Sequence, residues 1–311
     1  MSFTSDVKKE ICLYDWNDEC KKALLSAFLQ LSASLHFTSE GTSISAQTEN
    51  VSTAKYIYQI IKELYQVETQ LSIIKKMKLK KNNIYVIRIK TKALEILKDL
   101  DIMNDEGLNE TPSKKIVKNE DCVRAYLAGA FLSNGSVNSP VKSNYHLEIS
   151  TTHTALAKYL AKQMNRFYLS AKVTKRRNHE MVYIKASDKI SDFLKIVGAS
   201  SSLFAFEDTR IQRDFMNSLT RLDNCELANE VKTIKAAQKQ LEDIDWIDNY
   251  GGLENLPEGL KRVAYTRKEH PEANLNELCQ FYEEQYNESI SKSGIRHRLN
   301  KIRDIAQDYK R

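Results

Sequence analysis

The order of apolar and polar positions repeats itself along the first two-thirds of the chain. Residues 27–35 match residues 129–137, each a helical run of small and apolar side chains. Polar stretches with strand-like alternation follow at 42–46 and 145–150. Next come helical segments, with Ala54, Lys55 and Tyr56 opposite Ala157, Lys158 and Tyr159, and Tyr65 opposite Tyr168. Strand pairs then place residues 84–87 opposite 181–184, and apolar helices close each copy at 94–100 and 190–197. From Ala27 to Ile87 the offset stays between 97 and 103 residues, too constant for chance. Each copy therefore predicts helix, strands, helix, strands, helix, from periods near 3.6 and 2. Residues 101–120 carry Gly107, Pro112 and several charges, and read as the connection between the copies.

Beyond Asn224 the pattern is wholly helical. An amphipathic run passes through Ile234, Ala237, Leu241 and Ile244, and Gly251, Gly252 and Pro257 interrupt it. A helix through Leu260, Val263 and Ala264 follows, then a turn at residues 270–273. Asn274 stands three residues before Glu277, the spacing of an N-cap and its capping partner, and Leu275, Leu278 and Cys279 make an apolar face. After a connection over about 283–290, Ser291 is placed to cap a last helix. Ile295, Leu299 and Ile302 form its buried stripe. Its other face carries Arg296, Asn300 and Arg303, flanked by His297, Arg298 and Lys301, with Lys292 and Ser293 at the N-terminal end. That is a helix-turn-helix arrangement, in which the second helix enters the major groove. Arg296 is suited to guanine and Asn300 to adenine. The connection is longer than the usual turn of this motif.

Composition narrows the class. The 311 residues are 41% hydrophobic and 28% charged, as in an ordinary globular protein of two domains. We expect residues 1–220 to form a two-repeat domain (repeats about 20–100 and 122–198) and residues 221–311 a helical DNA-binding domain. No apolar run approaches the length of a membrane span and the N-terminus is polar, so a cytoplasmic protein without membrane association is expected. Five scattered cysteines (Cys12, Cys20, Cys122, Cys225, Cys279) exclude a disulfide framework and a zinc ribbon and read as buried free thiols. The net charge of +6 is uneven, since residues 292–311 hold seven basic and two acidic side chains. A second basic group lies at Lys75, Lys76, Lys78, Lys80, Lys81 and Arg88, and a third at Lys172, Lys175, Arg176 and Arg177. Tyr85 and Tyr183 interleave with them, and such clusters can contact DNA phosphates.

Residues 127–135, LAGAFLSNG, resemble the signature helix of LAGLIDADG homing endonucleases. The resemblance implies two such helices packed at a pseudo-two-fold axis, with Ala27 and Ala33 facing Gly129 and Gly135. It also implies strands splayed as a saddle for duplex DNA. Active members place an acid at the foot of each helix to hold divalent metal, which needs hard anionic oxygens. Here Ser32 and Asn134 stand at those positions, and both are neutral. No catalytic residue, metal or other cofactor is expected.

Further stretches in order resemble the WhiA family: residues 2–8 (SFTSDVK), 221–225 (RLDNC), 236–244 (AAQKQLEDI), 270–273 (HPEA) and 291–299 (SKSGIRHRL). The resemblance implies an α+β fold, a degenerate two-repeat LAGLIDADG-like domain followed by an all-α helix-turn-helix resembling the promoter-reading part of sigma factors. It implies a bacterial transcription regulator tied to cell division and chromosome segregation, associated with the nucleoid, and acting in sporulation in spore formers. Ala33 departs from the glycine that relatives often carry. The expected partner is double-stranded DNA. A second transcription regulator or RNA polymerase is the protein partner to consider, and a monomer suffices because the repeat supplies its own two-fold axis. The competing readings are a metal-dependent endonuclease and a protein-binding scaffold with a DNA-binding tail.

Overall fold

The computed structural model describes residues 2–38, 41–75, 83–142 and 144–309. The chain divides into two compact units, Met1–Arg213 and Asp214–Arg311.

In the first unit a short helix, α1 (Phe3–Ile11), precedes two copies of one motif. The first copy runs α2 (Asp18–Ser32), β1 (Ala33–Thr38), β2 (Gly41–Thr48), α3 (Val51–Tyr65), β3 (Thr69–Lys75), β4 (Asn83–Ile89) and α4 (Ala93–Asp99). A small hairpin, β5 (Met103–Asn104) and β6 (Gly107–Leu108), lies in the connection. The second copy runs α5 (Glu120–Asn134), β7 (Gly135–Val137), β8 (Leu147–Thr151), α6 (Thr154–Arg166), β9 (Lys172–Arg176), β10 (His179–Ile184) and α7 (Ser187–Ile196). The two antiparallel sheets share one order, β1-β2-β4-β3 and β7-β8-β10-β9. The predicted helix–strands–helix–strands–helix repeat is therefore present in both copies.

Sheet register corrects one detail of the sequence match. Ala46 pairs with Ile87 and Ile149 with Val182, so residues 84–87 correspond to 179–182 and not to 181–184. The error is two residues, which leaves every side chain on the same face of the sheet. It arises at the hairpin tips, where residues 76–82 join β3 to β4 but only 177–178 join β9 to β10.

The paired helices α2 and α5 form the centre of one continuous core that draws on both repeats. Matching caps start them, with Asn17 Oδ1 accepting from the Cys20 N–H at 2.9 Å and Asn119 Oδ1 from the Cys122 N–H at 2.8 Å. The two backbones come very close at Gly129. A Cβ built there would lie 2.0 Å from the carbonyl oxygen of Leu24 and 2.9 Å from its Cα. Both contacts are to backbone, so no rotamer change relieves them. Near the helix N-termini Cys20 Sγ and Cys122 Sγ sit 3.5 Å apart, and burial pushes the Cys20 thiol up to about 12. Tyr126 Oη donates to Gln30 Oε1 at 2.8 Å across the pair. Ala33 and Gly135 do not belong to this contact, contrary to the reading of four small residues on one face. Each lies just past its helix and begins a strand, paired with Ala46 and Ile149 respectively. The thiols also differ from expectation, since only Cys20 and Cys122 are buried, Cys12 and Cys279 are half-buried and Cys225 is exposed.

The second unit begins within α8 (Ser200–Tyr250), a 51-residue helix that contains the expected boundary at 220/221. No glycine or proline interrupts it. Its last turns pack Ile244 and Ile247 into a separate core with α9 (Glu258–Glu269), α10 (Leu275–Tyr286) and α11 (Lys292–Tyr309). Among the described residues no helix is long and apolar enough to cross a membrane.

The Gly129–Leu24 contact makes a specific prediction. Gly129→Ala should lower stability by about 1–3 kcal/mol or more, the range for inserting a methyl group into a packed interior. Ala27→Gly, which removes a buried methyl without adding a clash, should cost less. Thermal denaturation of the two variants compares them, and an unchanged midpoint for Gly129→Ala would contradict the close backbone contact.

Candidate nucleic-acid interface

The local chemistry of residues 274–303 builds the helix-turn-helix. Asn274 Oδ1 accepts from the N–H groups of Asn276 (2.8 Å) and Glu277 (3.1 Å). Glu277 Oε2 accepts in return from the Asn274 N–H at 2.7 Å, completing a capping box for α10. The helix continues to Tyr286, beyond the end expected near 283, and stops at Asn287, whose φ of 51° is left-handed. Residues 287–291 make the connection. Ser291 Oγ then accepts from the Gly294 N–H at 3.1 Å and caps α11.

Ile295, Leu299, Ile302 and Ala306 are buried along one side of α11. Its exposed surface presents Lys292, Ser293, Arg296, His297, Asn300, Lys301 and Arg303. Arg303 lies 3.4 Å from Asp304, a solvent-exposed pair that holds it weakly. Arg298 points elsewhere. Its Nη1 donates to Tyr282 Oη at 2.9 Å and its guanidinium lies 5.5 Å from the centre of that ring. Leu275 packs on the core. Asn274, Leu275, Glu277, Ser291 and Arg298, expected at the DNA surface, thus each have work inside the fold.

The basic groups of the first unit are placed less evenly than their sequence suggests. Lys75 ends β3 and Arg88 lies on β4, both exposed. Lys76, Lys78, Lys80 and Lys81 fall outside the described residues. Lys172, Lys175 and Arg176 are exposed on β9, and Arg177 takes a left-handed φ of 56° in the turn. Register equates Lys172 with Gln70, Lys175 with Ile73 and Arg176 with Ile74. The basic side chains of β9 therefore have no basic counterpart on β3, while Lys75 corresponds to Arg177 in the turn. Where β9 is basic, β3 exposes Leu71, Ile73 and Ile74.

At the foot of the paired helices the degenerate positions are occupied by hydrogen bonds. Ser32 Oγ donates back to Phe28 O at 2.7 Å. Asn134 Nδ2 donates both to Leu31 O and to Ser150 O, each at 3.2 Å, tying the first repeat to the second. A polar cavity of about 880 Å³ opens beside Asn134, lined also by Ser5, Lys8, Asn50, Tyr85 and Ser150. Lys8 Nζ donates to Ser133 O at 3.3 Å. Burial brings this amine down to about 8, against the opposing pull of Cys12 and Glu49. Among the described residues no cluster of three or more His, Cys, Asp or Glu side chains is placed to hold a metal ion. The cavity is lined, among the described residues, by one cation, Lys8, and one carboxylate, Glu49.

Comparison with known proteins agrees with this architecture. Residues 18–103 match the model of the WhiA N-terminal LAGLIDADG-like domain, 123–216 the WhiA LAGLIDADG-like domain, and 219–306 the WhiA C-terminal HTH domain. The "Probable cell division protein WhiA" of Brevibacillus brevis is 46% identical, over 98% of this chain and 96% of its own length. That of Lysinibacillus sphaericus is 44% identical, over 100% and 98%. The chain belongs to the WhiA family. The crystal structure of full-length DUF199/WhiA from Thermatoga maritima shares the fold, with a TM-score of 0.61 at 23% identity over 99% of both chains. The N-terminal LAGLIDADG domain of DUF199/WhiA gives 0.51 at 20% identity, over 63% of this chain and 90% of that one. The WhiA-family fold, a two-repeat LAGLIDADG-like domain followed by a helix-turn-helix, is thus the α+β class expected from sequence.

Sequence reading missed Arg267 and Tyr282, which organise the second unit from α9 and α10, and Lys8 beside the old catalytic positions. Residues 2–8 had been matched to the family, yet nothing in their spacing showed that α1 would bring Lys8 to Asn134.

The Asn134 geometry predicts the effect of restoring an acid. Asn134→Asp removes two donors and turns carboxylate oxygens toward two carbonyl oxygens. At this exposed position it should destabilise the protein by about 0.5–1.5 kcal/mol, the net worth of a typical hydrogen bond. Urea denaturation checks this, and a neutral or stabilising effect would contradict the clasp.

Proposed function

We propose that this protein is a non-enzymatic, sequence-specific DNA-binding regulator of transcription acting in cell division, with roles in chromosome segregation and, in spore formers, sporulation. The observation that carries the reading is the exposed surface of α11. Lys292, Arg296, His297, Asn300 and Lys301 stand there with no hydrogen bond or ion pair among the described residues, on a helix braced by a buried apolar stripe. Such a helix supplies donors to base edges and cations to phosphates. The WhiA C-terminal HTH family model covers it, and the relatives are named for cell division. Residues 221–311 carry sequence reading in this account, and residues 1–220 act as a scaffold. Lys172, Lys175, Arg176, Arg177, Lys75 and Arg88 contribute contacts to phosphates.

The scaffold has no nuclease role in this account, because Ser32 and Asn134 replace the metal-binding acids. The protein acts as a monomer in the cytoplasm, on the nucleoid, with RNA polymerase or a second regulator as its protein partner. No cofactor is required.

Two experiments test the reading. Arg296→Ala should weaken binding to a selected target duplex by about 1–3 kcal/mol and relax preference at one base pair. Arg298→Ala should act first on thermal stability, since that side chain holds Tyr282. Equal losses of base preference in both variants, measured by gel shift, would contradict the assignment of roles. Incubation of the protein with plasmid and Mg²⁺ should leave the plasmid intact. Metal-dependent nicking that is lost in Asn134→Ala would overturn the non-enzymatic reading.

A further inference from the structure

Arg267, on α9, is the second unit's least expected buried group. It is 2% exposed and meets no carboxylate. Its Nη1 donates to the carbonyl oxygens of Ala273 (2.6 Å), His270 (3.3 Å) and Pro271 (3.5 Å), which pins the turn before α10. Its Nε is closed off from solvent and has no partner. Burial alone brings the guanidinium down to about 10, the mark of a charge without a counter-ion. Beside it lies a cavity of about 300 Å³ bounded by α8, α9, the N-terminus of α10 and the start of α11. Lys232 and Lys292 also line it, and among the described residues no acidic side chain does. The N-terminus of α10 borders it at Leu275 and Asn276, adding the positive end of a 12-residue helix, although the Asn276 and Glu277 N–H groups are held by the Asn274 cap. Gln240 lines the same cavity, and its Oε1 is a buried acceptor with no donor.

Three cations, a helix N-terminus and a lone acceptor define a ligand of mixed character. The cations, with the positive helix end beside them, call for a phosphate. The Gln240 carbonyl calls for a hydroxyl or amine donor beside it, which a DNA phosphodiester does not carry. We infer that this cavity binds a small phosphorylated molecule, with the phosphate on Arg267, Lys232 and Lys292 and a neighbouring hydroxyl or amine on Gln240. The volume lies at the lower end of ordinary small-molecule sites, in keeping with a compact ligand. Lys292 is also the first residue of α11, so an occupied site would neutralise one of the cations offered to DNA. The binding itself stands apart from the DNA-reading proposal and is measured without DNA.

Glycerol 3-phosphate and inorganic phosphate, titrated separately into the full-length protein in phosphate-free buffer, test it by calorimetry. Glycerol 3-phosphate should bind once per chain and more tightly than inorganic phosphate. Lys232→Gln should weaken it by about tenfold, equivalent to 1.4 kcal/mol. Lys235→Gln, an exposed lysine of α8 outside the cavity, should not. Gln240→Leu should reduce glycerol 3-phosphate to the affinity of inorganic phosphate. Lys232 is exposed, so its substitution leaves the fold intact, and thermal midpoints verify this. No saturable binding by either compound, or binding unchanged in Lys232→Gln, would overturn the proposal. So would a Lys232→Gln variant that loses duplex affinity while the wild type binds neither compound, which would give the cations to the DNA backbone instead.

Discussion

The first unit depends on how closely two helix backbones approach. Gly129 lies against the backbone of Leu24 at a distance that leaves no room for a methyl group. That contact sets the separation of α2 and α5, and with it the positions of both sheets, because each helix runs directly into the first strand of its sheet. Two repeats that each expose an apolar helix face thereby share one core. The matched caps Asn17 and Asn119 and the facing thiols Cys20 and Cys122 show the same near-symmetry at the opposite helix ends.

At the foot of those helices this geometry has been turned to a structural use. An acid there would offer no donor to the two carbonyl oxygens that Asn134 meets. Asn134 is neutral and carries two donors, and it spends both on carbonyl oxygens from different repeats. The side chain at this position ties the two repeats of the scaffold together. Lys8, drawn in by α1, lines the adjacent cavity together with Glu49.

Much of this was legible in the sequence, and the failures have physical causes. The repeat, its helices and its strands followed from periodicity. The capping box of Asn274 and Glu277 followed from spacing. The two-residue error between residues 84–87 and 181–184 arose because alternation fixes which face a side chain occupies but not its register along the strand. Hairpin length decides that. The reading of Ala33 and Gly135 as helix-pairing residues failed because the helices end one residue earlier. Arg298 looked like its neighbour Arg296 in sequence, but a turn of α11 points it at Tyr282. Arg267 gave no signal at all, since an arginine in a polar stretch reads as solvated until the fold closes over it.

Separation of labour between the units is the central claim: the repeats give form and α11 gives sequence reading. Photo-cross-linking of the full-length protein to a selected target duplex, with peptides mapped by mass spectrometry, tests it most directly. The account predicts cross-links to base positions from residues 292–303, with only backbone cross-links from the strands of the first unit. Base cross-links confined to the first unit, with none from α11, would contradict it.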